Sequence, residues 1–229
     1  SSGARRICAV DDMQNPPAAW HPVAPWFLSS TDERLDNSSQ LASRFRKHVA
    51  QTSEAPRALE VTSARGCWVH TADGRKHLDL LAGIGVAAIG HAHPRVARAV
   101  ARQARLYTHV MVYGEDALDP QVELAERLAA RLPDSLQSTY FTNSGAEAIE
   151  GALKLVRKAT GRSRVLSFQG AFHGDTTGAV ALGGNPIYRE PFRPLLADVE
   201  QIPWNDPAVI EQIDETTAAL FVDPLQAAA

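Results

Sequence analysis

From about residue 59 onward, apolar positions follow two periods in turn. Short runs read as strands: Leu59-Glu60-Val61, Cys67-Trp68-Val69-His70, Lys76-His77-Leu78-Asp79-Leu80, Ser138-Thr139-Tyr140-Phe141-Thr142 with its β-branched and aromatic content, and Arg164-Val165-Leu166-Ser167-Phe168. Ala72-Asp73-Gly74-Arg75 supplies a hairpin turn between the second and third of these. The other segments repeat every three to four residues, as one face of a helix does. Val96, Ala97, Val100 and Ala104 follow Pro94, and Val122, Leu124, Ala125, Leu128 and Ala129 follow Asp119-Pro120. Ile149, Ala152, Leu153 and Val156 form a third stripe, which Gly161 ends as a C-terminal cap. Asp119 is a candidate N-cap, and Pro133 stops that helix near Arg131.

Shorter helices are expected over Leu41–Val49, over Thr176–Leu182 until Gly183-Gly184-Asn185-Pro186 breaks the pattern, and from Asp206-Pro207 through Ile213. Ala218-Ala219-Leu220-Phe221-Val222 is continuously apolar, as a parallel strand buried on both faces is. Alternating strands and helices predict an α/β fold, layered around a mainly parallel sheet. Residues 1–38 show neither period. Their Pro, Ser, Asp and Asn content, with Trp20, Trp26 and Phe27 isolated among it, reads as a flexible N-terminal arm.

Composition narrows the function classes. At 229 residues and 45% hydrophobic, the chain can bury a substantial core. A net charge of −3 and a pI of 6.2 give no electrostatic case for nucleic acid or an anionic membrane. Arg95, Arg98, Arg102 and Arg105 do form a basic stripe on the helix after Pro94, which we read as a solvated face or a subunit contact. Cys8 and Cys67 have neither metal-ligand spacing nor a disulfide framework, which points to a reducing compartment, the cytoplasm. No apolar run reaches spanning length, so no membrane partner is expected. His91 and His93 lack a carboxylate or Cys at ligand spacing and read as structural histidines, so no metal is expected.

The chemistry concentrates in two short stretches. Thr142-Asn143-Ser144-Gly145-Ala146-Glu147 joins the strand ending at Thr142 to the helix carrying Ile149. At such a turn the first N–H groups of the helix lack partners and point outward with the positive end of its dipole, so a phosphate monoester suits them. Gly145 lets a ligand approach the backbone, and the Ser144 hydroxyl adds a donor. The alternative is a simple capping box, because Glu147 stands three residues after Ser144. The second stretch, Ala171-Phe172-His173-Gly174-Asp175-Thr176, puts Phe172 28 positions beyond Ser144, which leaves room for one helix and one return strand. In a right-handed βαβ unit both loops reach the carboxyl edge of one parallel sheet. One loop then offers phosphate donors and the other a flat aromatic face, a pair suited to a phosphorylated planar ring.

Phe141-Thr142-Asn143-Ser144-Gly145-Ala146-Glu147-Ala148 through Lys154-Leu155, followed by Ala171-Phe172-His173-Gly174, resembles the class III aminotransferases. These are pyridoxal-phosphate enzymes of fold type I that include acetylornithine, ornithine, diaminopelargonate and ω-amino-acid aminotransferases. Gly83-Ile84-Gly85-Val86 with Gly90-His91-Ala92-His93-Pro94 is similar to their upstream motif, and Val222-Asp223-Pro224-Leu225-Gln226 to their Glu-Pro-Ile-Gln segment. The resemblance runs from about Leu59 to the last residue. It implies a three-layer αβα fold, with 39–88 as the N-terminal part of a small domain and 89–229 as the first half of the large cofactor-binding domain.

The resemblance also implies pyridoxal 5'-phosphate as cofactor, a small-molecule amino donor and oxo acceptor as substrates, and a homodimer. By it, Ser144, Gly145 and Ala146 hold the phosphate, Phe172 and His173 belong to the ring site, and Asp175, Asp223 and Gln226 stand near the substrate or behind the cofactor. The family's pyridine-nitrogen Asp and Schiff-base Lys lie beyond its Glu-Pro-Ile-Gln segment. The four lysines here, Lys47, Lys76, Lys154 and Lys158, all precede Phe172 and match no catalytic position. The sequence therefore reads as an N-terminal half with no catalytic residue of its own, truncated before the lysine. Asp175 replaces the Arg that follows Phe-His-Gly in acetylornithine-type members and looks more like diaminopelargonate and ω-amine members. Asp223 replaces the usual Glu and is one methylene shorter. Two other readings stay open: a non-catalytic half-enzyme that binds phosphate ligands or a partner subunit, and an aminomutase resembling the glutamate-1-semialdehyde type.

Overall fold

Arg164–Phe168, the strand bounded by the Gly161 cap and the turn at Gly170, is the middle of the sheet that carries the candidate site. The computed structural model describes residues 40–111 and 114–226; the expected arm over 1–38 and the closing Ala227-Ala228-Ala229 lie outside the described residues. The chain divides into two compact units, one running to Asp116 and the other beginning at Ala117.

In the first unit, α1 (Gln40–His48) is followed by β1 (Val61–Arg65), β2 (Trp68–Thr71) and β3 (Lys76–Leu78), a three-stranded antiparallel sheet in that order. The hairpin turn forms where expected, and Asp73 accepts from the Thr71 hydroxyl and from the Arg75 N–H. α2 (Pro94–Leu106) also falls in this unit. Gly66 and His91 exchange backbone hydrogen bonds, and the His91 ring meets Asp79 at 2.7 Å, so His91 is tied to the hairpin sheet. His91 is thus held by a carboxylate that also caps the N–H groups of Leu81 and Ala82.

In the second unit, α3 (Asp119–Ala129) precedes α4 (Gly145–Thr160), β4 (Arg164–Phe168), α5 (Thr177–Leu182), α6 (Pro186–Arg189), β5 (Val199–Ile202) and β6 (Thr217–Phe221). The expected Asp119 cap is corrected: Leu118 occupies the N-cap position, no side chain caps the helix, and Asp119 and Pro120 already lie inside it. The sheet is parallel in the order β5-β4-β6. Alternation along β4 sends its side chains to opposite faces. Val165 packs with Leu153 of α4 and Leu182 of α5, while Leu166 and Phe168 pack with Ala171, Ile202 and Val209. The second face is therefore covered by a 3-10 turn over Pro207–Gln212, where a full helix was expected; the Asp206 carboxylate caps it through the Ala208 N–H.

Two further expectations change. Ser138–Thr142 forms no strand: it has no ladder partner among the described residues, and Tyr140 is 81% exposed. β-propensity does not make a strand without a neighbour to bond. β6 is parallel to β4, but its Ala218, Ala219, Leu220 and Phe221 are only half-buried, because one of its edges carries no strand among the described residues.

Candidate active site

Ser144 is the N-cap of α4, in extended conformation, and its Oγ accepts the Glu147 N–H at 3.1 Å. Glu147 reaches back to the Asn143 N–H at 2.6 Å. The capping arrangement is thus present, but it occupies only one first-turn donor. The Gly145 and Ala146 N–H groups have no acceptor among the described residues, and the Ser144 hydroxyl hydrogen is also unused there. A Cβ built on Gly145 would have nothing within 4 Å. The turn therefore presents free donors beneath open space, backed by a helix of 16 residues.

The loop after β4 is fastened to this turn from several directions. A Cβ built on Gly174, whose φ is +123°, would lie 2.6 Å from the Cβ of Ala146 and 3.0 Å from its Cα. The two backbones thus approach at a distance that only glycine permits. His173 Nε2 and Ser167 Oγ are 3.1 Å apart, and the His173 ring stands edge-on to Phe221, so this side chain bridges β4 and β6. Burial holds the His173 ring below the usual histidine range, and the nearby Asp223 carboxylate opposes that shift. Ser167 is fully buried, so the Ser167–His173–Asp223 grouping offers no nucleophile.

The segment after β6 supplies the remaining ties. The Phe172 N–H donates to Asp223 Oδ2 at 3.4 Å, and Gln226 Nε2 donates to the Gln169 carbonyl at 2.9 Å. Because β4 and β6 are parallel, both segments leave the same edge of the sheet. Phe172 itself is 40% exposed, and its ring stands edge-on to Tyr188 at 5.9 Å between centroids. Asp175 is exposed next to it. The structure thus gathers Ser144, Gly145, Ala146, Phe172, His173, Asp223 and Gln226 at one edge.

The class-III aminotransferase profile matches residues 49–229. The chain belongs to the class-III aminotransferases. Relatives named acetylornithine aminotransferase, from Methanopyrus kandleri and Streptomyces coelicolor, are 41% and 40% identical to it, over 78% and 83% of this chain and 45% and 46% of theirs. A [LysW]-aminoadipate semialdehyde/glutamate semialdehyde transaminase from Sulfurisphaera tokodaii is 38% identical, over 74% of this chain and 43% of that one. Among solved structures, an ornithine aminotransferase from Toxoplasma gondii, described with partial occupancy of PLP at its active site, aligns with a TM-score of 0.69 and 26% identity. It covers 85% of this chain and 47% of that one. The chain spans about half the length of the curated relatives it matches.

Sequence reasoning missed two side chains that tie this edge together. Glu150 lies off the apolar stripe of α4 like any solvated helix carboxylate, yet its Oε1 accepts the Gly178 N–H of α5 at 2.9 Å. Ser167 was read as one more strand residue, although it meets the His173 ring. A polar residue amid Val165, Leu166 and Phe168 was the available signal, since a buried hydroxyl needs a partner.

Proposed function

We propose that this chain forms the phosphate-binding and ring-facing part of a pyridoxal-phosphate aminotransferase that moves an amino group between an amino acid or ω-amine and a 2-oxo acid or aldehyde. The observation that carries the reading is the contact between Gly174 and Ala146, because it joins the donor-rich turn to the loop bearing an exposed aromatic ring. The residues fit the cofactor. Gly145 and Ala146 offer N–H groups that have no partner among the described residues, Ser144 offers a hydroxyl, and a Cβ on Gly145 would meet nothing within 4 Å. Phe172 is left accessible to cover a planar ring. Pyridoxal phosphate, when bound, supplies the electron sink for the pair released at the amine-bearing carbon.

This chain's own residues bind and orient. Ser144, Gly145 and Ala146 take the phosphate, and Phe172 excludes water from one ring face. His173 and Asp223 fix the loop to β4 and β6. Asp175 places a carboxylate where it disfavours a second substrate carboxylate, which supports ω-amine or aldehyde substrates over those with an acid group at that end. Leu80, Ile84, Val86 and Ile89 of the first unit are 85%, 92%, 86% and 65% exposed, which supports pairing of two copies.

The test is a titration with pyridoxal phosphate, followed by absorbance, with inorganic phosphate as competitor. Phe172→Ala is expected to weaken the cofactor while leaving phosphate competition intact, and Ser144→Ala with Gly145→Val to weaken both. Binding indifferent to all three changes overturns the reading. After borohydride reduction no lysine should be labelled stoichiometrically, because Lys154 and Lys158 are exposed on α4. Full occupancy of Lys154 would contradict the assignment.

A further inference from the structure

The carboxylate of Glu150 stands apart from the residues assigned so far. It projects from the second turn of α4 and accepts the Gly178 N–H, the second residue of α5, at 2.9 Å. The first N–H groups of any helix lack internal partners and normally draw on the N-cap side chain. Here the N-cap is Thr176. Its hydroxyl makes no cap bond and is buried with no partner. α5 is therefore capped by a side chain from another helix. Gly178 is buried, and a Cβ built on it would lie 2.7 Å from Oε1 and 2.8 Å from Cδ of Glu150, so the carboxylate sits where only a glycine leaves room.

This cap lies four residues beyond the point where Gly174 touches Ala146. Two fixed contacts, Ala146 to Gly174 and Glu150 to Gly178, thus join one face of α4 to the same short stretch of the following loop and helix. Residues 146 and 150 are one helical turn apart and share a face. Both contacts oppose any sliding or lifting of the segment 172–178 relative to the turn at 144–146.

We propose that Glu150 is a positioning residue: it caps α5 from α4, and so sets the distance between the aromatic loop and the donor-bearing turn. This rests on the reading of the turn and loop as one cofactor site. Glu150 touches no cofactor atom in that reading, and its effect is on where Phe172 stands.

The test uses three forms of the chain: unchanged, Glu150→Ala and Glu150→Gln. Glutamine keeps an acceptor oxygen at the same reach and should restore the cap. Amide exchange is measured at Gly178 and across 172–176, with Leu166 and Ser167 of β4 as reference. A hydrogen bond to a charged acceptor corresponds to about tenfold or more in an opening equilibrium. Glu150→Ala should accordingly speed exchange in the loop and at Gly178 about tenfold or more and leave the reference amides unchanged. Glu150→Gln should stay within about threefold of the unchanged chain. Equal acceleration at Leu166 and Ser167, no acceleration at all, or a Gln variant as damaged as the Ala variant each overturns the proposal.

Affinity is then read with pyridoxal phosphate and with inorganic phosphate. Glu150→Ala should weaken the cofactor about tenfold and change phosphate less than twofold, because the turn keeps its donors and only the ring cover moves. Equal losses for both probes, or none, overturn the positioning role. If exchange responds as expected and the unchanged chain binds neither probe, the interhelix cap stands and the cofactor reading fails.

Discussion

Replacing Gly174 with alanine tests the close approach on which the site depends. The added methyl would lie 2.6 Å from the Cβ of Ala146 and 3.0 Å from its Cα. Carbon atoms in ordinary contact are about 3.5 to 4.0 Å apart, so the overlap approaches 1 Å. No rotamer relieves it, since both partners are fixed to backbone. The φ of +123° adds strain of about 1 to 3 kcal/mol for a residue with a Cβ. Overpacking adds about 1 to 3 kcal/mol more. The cheapest relief is for the loop to lift off the turn, which sacrifices the juxtaposition and spares the sheet. Even the lower end, about 2 kcal/mol, corresponds to roughly 30-fold in an equilibrium constant. We expect Gly174→Ala to raise the Kd for pyridoxal phosphate about 30-fold or more with a smaller proportional change in thermal stability. Ala146→Gly in the same chain should recover part of the loss, as coupled neighbours do. A Gly174→Ala chain with unchanged Tm and a Kd within threefold of the original would refute the argument.

Three other expectations follow from the same geometry. Gly145→Ala meets open space at the first position of α4, so Tm should hold or rise slightly, by up to about 1 kcal/mol of added stability, while phosphate affinity drops; a fall in Tm with unchanged affinity would reverse the assignment. Leu166→Ala removes a fully buried side chain between β5 and β6 and should cost about 2 to 5 kcal/mol in denaturant unfolding; less than 1 kcal/mol would mean that β4 is not the centre of the core. Burial depresses His173, so as pH falls below the ordinary value of 6.5 the unfolded chain takes up the proton first. The stability His173 contributes is therefore present above 6.5 and is lost as pH drops through the interval down to its lowered folded value. Melting profiles from pH 8 to 5 should show this decline, and His173→Gln should flatten it; an identical decline in the variant would place the titration elsewhere.

Much of the second unit could be read directly from residue order. β4 appears over Arg164–Phe168 as expected, because a short, largely apolar run bounded by Gly161 and Gly170 has few alternatives. α4 begins at Gly145 after the Ser144 cap and ends at Gly161, where a left-handed φ of +68° stops it. The convergence of turn and loop was also legible, although the first strand of the expected βαβ unit does not form, and it is the close approach of Gly174 to Ala146 that joins them. Features that depend on partners distant in sequence were not. Ser138–Thr142 has strand composition, but a ladder is made by two strands, and no second one adjoins it among the described residues. Glu150 and Glu147 look alike on a helix, and only the approach of α5 distinguishes a cap for the next helix from a cap for its own. Asp119 likewise looked like an N-cap because it precedes Pro120, yet the chain enters the helix one residue earlier, at Leu118.

The most direct test is amide hydrogen exchange on the chain with and without pyridoxal phosphate. The account predicts that the cofactor slows exchange at 144–147 and at 171–175 together, over the same concentration range. Protection at only one of these stretches, or confined to residues away from the carboxyl edge of β4, would contradict it.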